Sequence, residues 1–136
     1  NITRRKEAVM IHEEICTYEV AKLAKEKGFD VPTFGYYRIA TEDWYRTDVY
    51  DDWNDSTIRY SAPTQSLLQR WLREEKNIHI EIIATASGYY WCISKTNGTS
   101  MTDRDVLNRG TNDGGCFDTY ELALEDALAY SLKNLV

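Results

Sequence analysis

Residues 61 to 83 read SAPTQSLLQRWLREEKNIHIEII, and their hydrophobic period changes once, in the middle of the stretch. Pro63 and Thr64 are typical of a helix start, because the proline ring presets φ and the threonine hydroxyl can accept a hydrogen bond from the first helical turn. Apolar residues then recur on one side of a helix, at Leu67, Leu68, Trp71 and Leu72. The first half of the stretch therefore predicts an amphipathic helix.

The second half of the stretch has the period of a strand. Lys76 and Asn77 favour the end of the helix, and from there isoleucines alternate with polar residues, at Ile78, Ile80 and Ile82. A helix that runs directly into such a strand favours a sheet with the helix packed on it. We expect a shared core made of Leu68, Trp71, Leu72, Ile80, Ile82, Leu124 and Leu128.

Two further helices flank this centre. Thr17 is a candidate N-cap for a helix that ends at Gly28. Asp118 with Glu121 resembles a capping box for a last helix that runs to Asn134. Its predicted buried stripe is Tyr120, Leu124, Ala127, Leu128 and Leu132.

The segments between the predicted helices have sequence patterns typical of strands. Aromatic and β-branched residues predict a strand at 34–39, an antiparallel partner at 57–60, and a strand at 89–95 after the turn at Ser87 and Gly88. Trp44 and Tyr45 either extend the first of these strands or begin another. We predict an α+β fold in the order α-β-β-α-β-β-α, with one antiparallel sheet of about four or five strands and three helices largely on one face.

The composition is typical of one folded domain covering residues 1–136. Within it, 1–10 are expected to be a tail, and 97–118 a long glycine-containing loop with one short helical turn near 103–107. The net charge of −6 and the pI of about 4.9 disfavour binding to nucleic acid, which needs clustered lysine and arginine. No apolar run approaches the length of a membrane span, so we expect a cytoplasmic protein without membrane contact.

Three segments carry a resemblance: ICTYEVAKLAKEKGF at 15–29, SAPTQSLLQRWLREEKNIHIEI at 61–82 and YELALEDALAYSL at 120–132. With them the chain resembles short, uncharacterised proteins that recur in bacteriophage and prophage genomes of gut bacteria. The resemblance implies a small α+β protein of mobile-element origin inside a host bacterium, and it brings no catalytic residues. The chain departs from the pattern by its longer loop at 97–118 and its basic amino end.

Catalytic and metal-binding patterns are weak. His12-Glu13 and His79-x-Glu81 each supply two ligands, where zinc requires three or four, and the acidic turn at 51–56 lacks the glycine and the closing glutamate of a calcium loop. Cys16 lies at a helix entrance, where the helix dipole can lower the pKa of a thiol. We predict no catalytic residues, no metal and no cofactor.

The stretch from Glu42 to Asp55, EDWYRTDVYDDWND, holds six acids and one base among four aromatic residues. Aromatic residues dominate the energetics of many interfaces, and acids steer a basic partner. An alternative is that the aromatics are internal contacts of a hairpin and the acids keep its edge soluble. We predict a protein-binding surface at Trp44, Tyr45, Tyr50, Asp51, Asp52, Trp53 and Asp55.

Two functions follow as hypotheses. The first is a non-enzymatic accessory protein of a phage or mobile element that binds a host or element protein, as a monomer or a homodimer. The alternative is a small enzyme or nucleotide-ligand binder that uses the loop at 97–118.

Overall fold

The computed structural model describes residues 12–96, 104–109 and 116–136. Its helices are α1 (Tyr18–Glu26), α2 (Gln65–Lys76) and α3 (Tyr120–Asn134). Its strands are β1 (Thr33–Arg38), β2 (Trp44–Asp51), β3 (Arg59–Ser61), β4 (Ile78–Thr85), β5 (Gly88–Thr96) and β6 (Arg104–Arg109), and a 3-10 turn covers Trp53–Asp55. The predicted α+β class is confirmed. In the described part of the chain no helix has the length and apolar character to cross a membrane.

The strands form two antiparallel sheets where one was predicted. The first sheet has the order β2-β1-β3 and the second has the order β4-β5-β6. In the first sheet β1 is central, since Tyr37 pairs with Trp44 on one side and with Tyr60 on the other. Alternation along a strand shows that it has a buried face, but it does not select the partner strand, so the division into two sheets was not visible in the sequence.

β6 lies inside the segment that was expected to be a loop with a helical turn. It pairs with β5, and Leu107 lies opposite Ile93. Val106 and Leu107, attributed to that turn, therefore belong to a strand. The rest of the expected loop up to residue 115, and the expected tail at 1–10, lie outside the described residues.

The change of period in the central stretch is confirmed. Thr64 is the N-cap of α2, and its Oγ1 accepts a hydrogen bond from the N–H of Leu67 at 3.1 Å. The helix ends at Asn77, whose φ of 57° is left-handed, a conformation that asparagine tolerates better than most residues. β4 begins at the next residue, and Ile78 is fully buried.

The predicted N-cap is confirmed for α1 and is wrong for α3. Thr17 caps α1 as predicted, and its side chain accepts from the N–H of Val20. α3 is capped by Thr119 and not by Asp118, because the Thr119 hydroxyl accepts from the N–H of Leu122 at 3.1 Å. Tyr120 consequently begins the helix and is 42% exposed, so its predicted place in the buried stripe is wrong.

The core lies between the three helices and the second sheet. The predicted core is confirmed, although Ile82 is only partly buried at its margin. The buried cluster consists of Cys16, Val20, Ala24, Phe29, Leu68, Trp71, Leu72, Ile78, Ile80, Trp91, Ile93, Leu124, Ala127, Leu128 and Leu132. No residue of β1, β2 or β3 belongs to this cluster, so the first sheet lies beside the core.

Candidate protein-binding surface

β2 is an edge strand of the first sheet and carries most of the predicted surface. It pairs with β1 through Tyr45 opposite Tyr36 and Trp44 opposite Tyr37. Eight large apolar side chains are exposed among the described residues. Five of them lie on β1 and β2, namely Phe34, Trp44, Tyr45, Val49 and Tyr50. The apolar exposure of the described residues is thus concentrated on the first sheet.

Trp44 rests on a glycine of the neighbouring strand. A Cβ atom at Gly35 would lie 2.8 Å from Nε1 of Trp44 and 3.2 Å from the carbonyl oxygen of Tyr45. A side chain at position 35 would therefore push the indole away from the sheet. The glycine leaves room for the ring to lie against the backbone, although the indole is still 44% exposed.

A wide bulge interrupts the pairing of β2. Between the pairs Gly35–Arg46 and Thr33–Asp51, β2 advances five residues while β1 advances two. The Thr47 hydroxyl donates to the carbonyl of Val49 and accepts from its N–H. Bulges of this kind redirect side chains at sheet edges. Within this bulge, the Tyr50 ring packs against the exposed Phe34 at an interplanar angle of 34°, with 4.6 Å between the centroids.

A ladder of aromatic rings and cations connects β1, β2 and β3. Tyr36 stacks with Tyr45 at 5.6 Å and contacts Trp53 at 5.0 Å. Arg59 lies 4.8 Å from the Tyr36 ring centroid, and Arg38 lies 5.0 Å from that of Tyr45. Tyr45 is therefore held in place by cation–π and ring contacts while its edge remains exposed.

Two of the predicted surface residues have internal roles. Trp53 is half-buried, and its Nε1 donates to the carbonyl of Thr33 at 3.0 Å. Asp52 caps the 3-10 turn by accepting from the N–H of Asn54 at 3.0 Å. Asp51 and Asp55 are exposed, as is Asp48 between them and Trp44. The structure thus places Trp44 and Tyr50 in one groove and Tyr45 on the ring ladder. It leaves Asp51 and Asp55 exposed and gives Trp53 and Asp52 internal hydrogen bonds.

A groove of about 240 Å³ opens beside Trp44, and we call it the aromatic groove. The first sheet supplies one wall, including Phe34, Trp44, Arg46 and Tyr50. The opposite side comes from the extended segment before α1 and from α2 and its N-terminal flank, with His12, Glu13, Ile15, Thr64 and Leu67. The sequence gives no signal for this groove, since the residues named on its two sides are separated by 14 to 38 positions in the chain and share no local pattern.

Two neighbouring grooves continue from it, and we call them the acidic grooves. One is lined by His12, Glu13, Glu14, Gln65, Ser66, Gln69, Tyr120, Glu121 and Leu124. The other is lined by Glu14, Ile15, Thr17, Gln65, Thr119, Glu121, Leu122 and Glu125. Among the residues that the structure describes, neither lining includes a lysine or an arginine.

The extended segment between the grooves is fixed by hydrogen bonds. The N–H of Cys16 donates to the carbonyl of Pro63 at 2.9 Å, and the N–H of Gln65 donates to the carbonyl of Glu14 at 2.8 Å. Glu125 of α3 accepts from both the N–H and the hydroxyl of Thr17. Residues 14–17 therefore form a rigid ridge between the aromatic and acidic grooves.

The position of Cys16 at the helix entrance does not lower the pKa of its thiol. The thiol is fully buried, and burial, with the nearby Glu125 and Glu14 carboxylates, raises its pKa well above the ordinary value. Loss of water around the thiolate outweighs any benefit from the start of α1, so the thiol stays protonated and unreactive. The Tyr37 hydroxyl donates to the Cys16 carbonyl at 2.6 Å, and burial raises the pKa of Tyr37 to about 12.

The histidine-carboxylate pairs do not assemble into a metal site in the described residues. No group of three or more His, Cys, Asp or Glu side chains is placed there to hold an ion. His12 and Glu13 instead line the aromatic groove and the first acidic groove together.

Comparisons with protein-family models, with curated proteins and with solved structures found no match for this chain.

Proposed function

We propose that this protein is a non-enzymatic accessory protein of a bacteriophage or other mobile element, and that it binds a host or element protein through the first sheet. The observation that carries the proposal is the clustering of exposed Phe34, Trp44, Tyr45, Val49 and Tyr50 on β1 and β2. Contiguous exposed apolar patches on soluble proteins commonly mark interaction sites.

The position of the first sheet supports this interpretation. Its strands contribute nothing to the buried cluster, so the cluster does not require aromatic residues on β2. Leaving rings exposed forfeits the free energy that burial of each would contribute, roughly 1.5–3 kcal/mol. A partner that covers Trp44 and Tyr50 would recover this free energy at the interface.

Charge supports a basic partner. Asp43, Asp48, Asp51 and Asp55 are exposed in and around β2, and Arg46 is the one base between Glu42 and Asp55. Acids around an apolar patch accelerate the approach of a positively charged protein and repel nucleic acid.

Affinity capture from the native host tests the proposal. The bait is the full chain, compared with a Trp44→Ser/Tyr50→Ser variant whose folding is checked by circular dichroism. We expect the wild-type chain to retain a specific protein that the variant loses. Capture of the same proteins by both baits, or of none by either, would contradict the proposal.

The on-rate then tests the role of charge. Asp48→Asn/Asp51→Asn should slow association at low salt by about tenfold or more and flatten its salt dependence. Glu75→Gln/Glu81→Gln is the matched control, because it removes the same charge from exposed sites on α2 and β4. Equal on-rates for the two variants would show that the acids of β2 do not steer association.

A further inference from the structure

The three grooves adjoin one another around the ridge at residues 14–17, and we call them together the band. The aromatic groove and the first acidic groove share His12 and Glu13. The two acidic grooves share Glu14, Gln65 and Glu121. One end of the band is therefore aromatic and the other end is acidic.

The aromatic end has room for one large side chain. Its volume of about 240 Å³ exceeds the roughly 150 Å³ of a cavity that holds benzene, and it is smaller than the roughly 300 Å³ at which pockets for small organic ligands begin. Phe34, Trp44, Tyr50 and Leu67 offer apolar contacts. Glu13 and Arg46 line this groove with opposite charges, so neither sign is selected and the apolar contacts favour an uncharged apolar occupant.

The acidic end selects positive charge. Glu13, Glu14, Glu121 and Glu125 line it, and the exposed Tyr120 and Leu122 add apolar contact area. A lysine or arginine side chain fits such a surface, since its alkyl stem packs on apolar groups while its charged head stays near carboxylates.

The ridge makes the band a rigid template. The Ile15–Thr64 bridge and the double hydrogen bond from Thr17 to Glu125 hold both ends of the ridge against the helices. A partner that binds here does not have to order the ridge first, and such preorganisation favours affinity.

We propose that this band binds an extended segment of the partner protein, in which one apolar side chain enters the aromatic groove and adjacent lysine or arginine side chains lie along the acidic grooves. This inference rests on the proposed function, and it deepens it by naming the chemistry of the recognised segment. The recognised element is a short linear motif and not a folded surface.

A random peptide library displayed on phage, selected against the full chain, tests this chemistry. We expect enriched peptides to combine an aliphatic or aromatic residue with at least one neighbouring lysine or arginine. Enriched peptides that are acidic or that lack an apolar residue would overturn the inference. A selection that enriches nothing would also overturn it.

Fluorescence polarisation of an enriched peptide then locates its binding site. Tyr50→Ser should weaken binding by about 30-fold, the loss expected on truncation of a dominant interface residue. Glu14→Gln/Glu121→Gln should weaken it less and reduce its salt dependence. Glu75→Gln/Glu81→Gln, with the same change in charge on another face, should leave it unchanged.

Failure of this inference can be separated from failure of the proposed function. Binding that is lost in Tyr45→Ser but kept in Tyr50→Ser and in Glu14→Gln/Glu121→Gln would place the peptide on the ring ladder. That result overturns the groove assignment and leaves protein binding by the first sheet intact. If the library enriches nothing and host capture also fails, both proposals are wrong.

Discussion

The indole of Trp44 lies against the backbone of Gly35, so closely that a Cβ on residue 35 would approach Nε1 to 2.8 Å. Because Gly35 has no side chain, the Trp44 indole can lie against the backbone and form part of one wall of the aromatic groove. The residue at position 35 therefore determines the position of the Trp44 indole, although glycine itself has no functional group.

Gly35→Ala should displace the indole and weaken binding of any peptide that uses the aromatic groove. Because Trp44 is partly exposed and can move, we expect a loss of only about 1 kcal/mol in stability. The Trp44 indole N–H resonance reports the displacement. As a contrast, Gly28→Ala meets no atom within 4 Å but has a φ of 90°, so it should destabilise the fold without shifting that resonance.

Trp71→Ala should lower the free energy of unfolding by roughly 3–5 kcal/mol. The side chain is 6% exposed and its ring meets that of Phe29 edge-on at 5.3 Å, so truncation leaves a cavity in the core. Urea denaturation measures the change. Arg73→Ala, two residues away on the exposed side of α2, should stay within about 0.5 kcal/mol of wild type.

Glu125→Ala should destabilise the protein by roughly 2 kcal/mol, since its carboxylate accepts hydrogen bonds from Thr17 and Gln65. A double-mutant cycle with Thr17→Ala should give a coupling above about 0.5 kcal/mol. Glu121→Ala is the control, because Gln65 contacts only the backbone carbonyl of Glu121. Additive losses in the cycle would show that the contact between α1 and α3 contributes no stability.

Stability should fall as the pH rises from about 10 to about 12. The pKa of Tyr37 is raised from 10.0 to about 12, chiefly by burial, so in this window the unfolded chain releases its proton while the folded chain retains it. Deprotonation then favours unfolding. Tyr37→Phe should make the decline shallower in urea titrations at successive pH values, and an identical slope in both proteins would exclude this contribution.

The sequence predicted an element correctly where a single local pattern determines that element. Thr64, Asn77 and the alternation from Ile78 predicted α2, its caps and β4, and the inner stripes predicted the core. The aromatic and acidic stretch from Glu42 to Asp55 predicted a surface that includes β2, whose side chains are largely exposed.

The sequence did not predict the features that depend on contacts between distant segments of the chain. The pairing of β6 with β5, the split into two sheets and the grooves all depend on contacts between residues far apart in the chain. Arg46 reaches the groove through the register that sets it opposite Gly35, and Tyr50 reaches it from within the bulge in β2. The cap at Thr119 was missed because Asp118 offers an equally good capping side chain one residue earlier.

The location of the first sheet outside the buried cluster has a consequence for how this protein can change over generations. Substitutions on β2 can change the exposed surface of the first sheet while the helices and the second sheet retain the packing that keeps the chain folded. This edge can therefore diversify without loss of the core, and the same separation makes β2 a suitable place to graft new recognition loops.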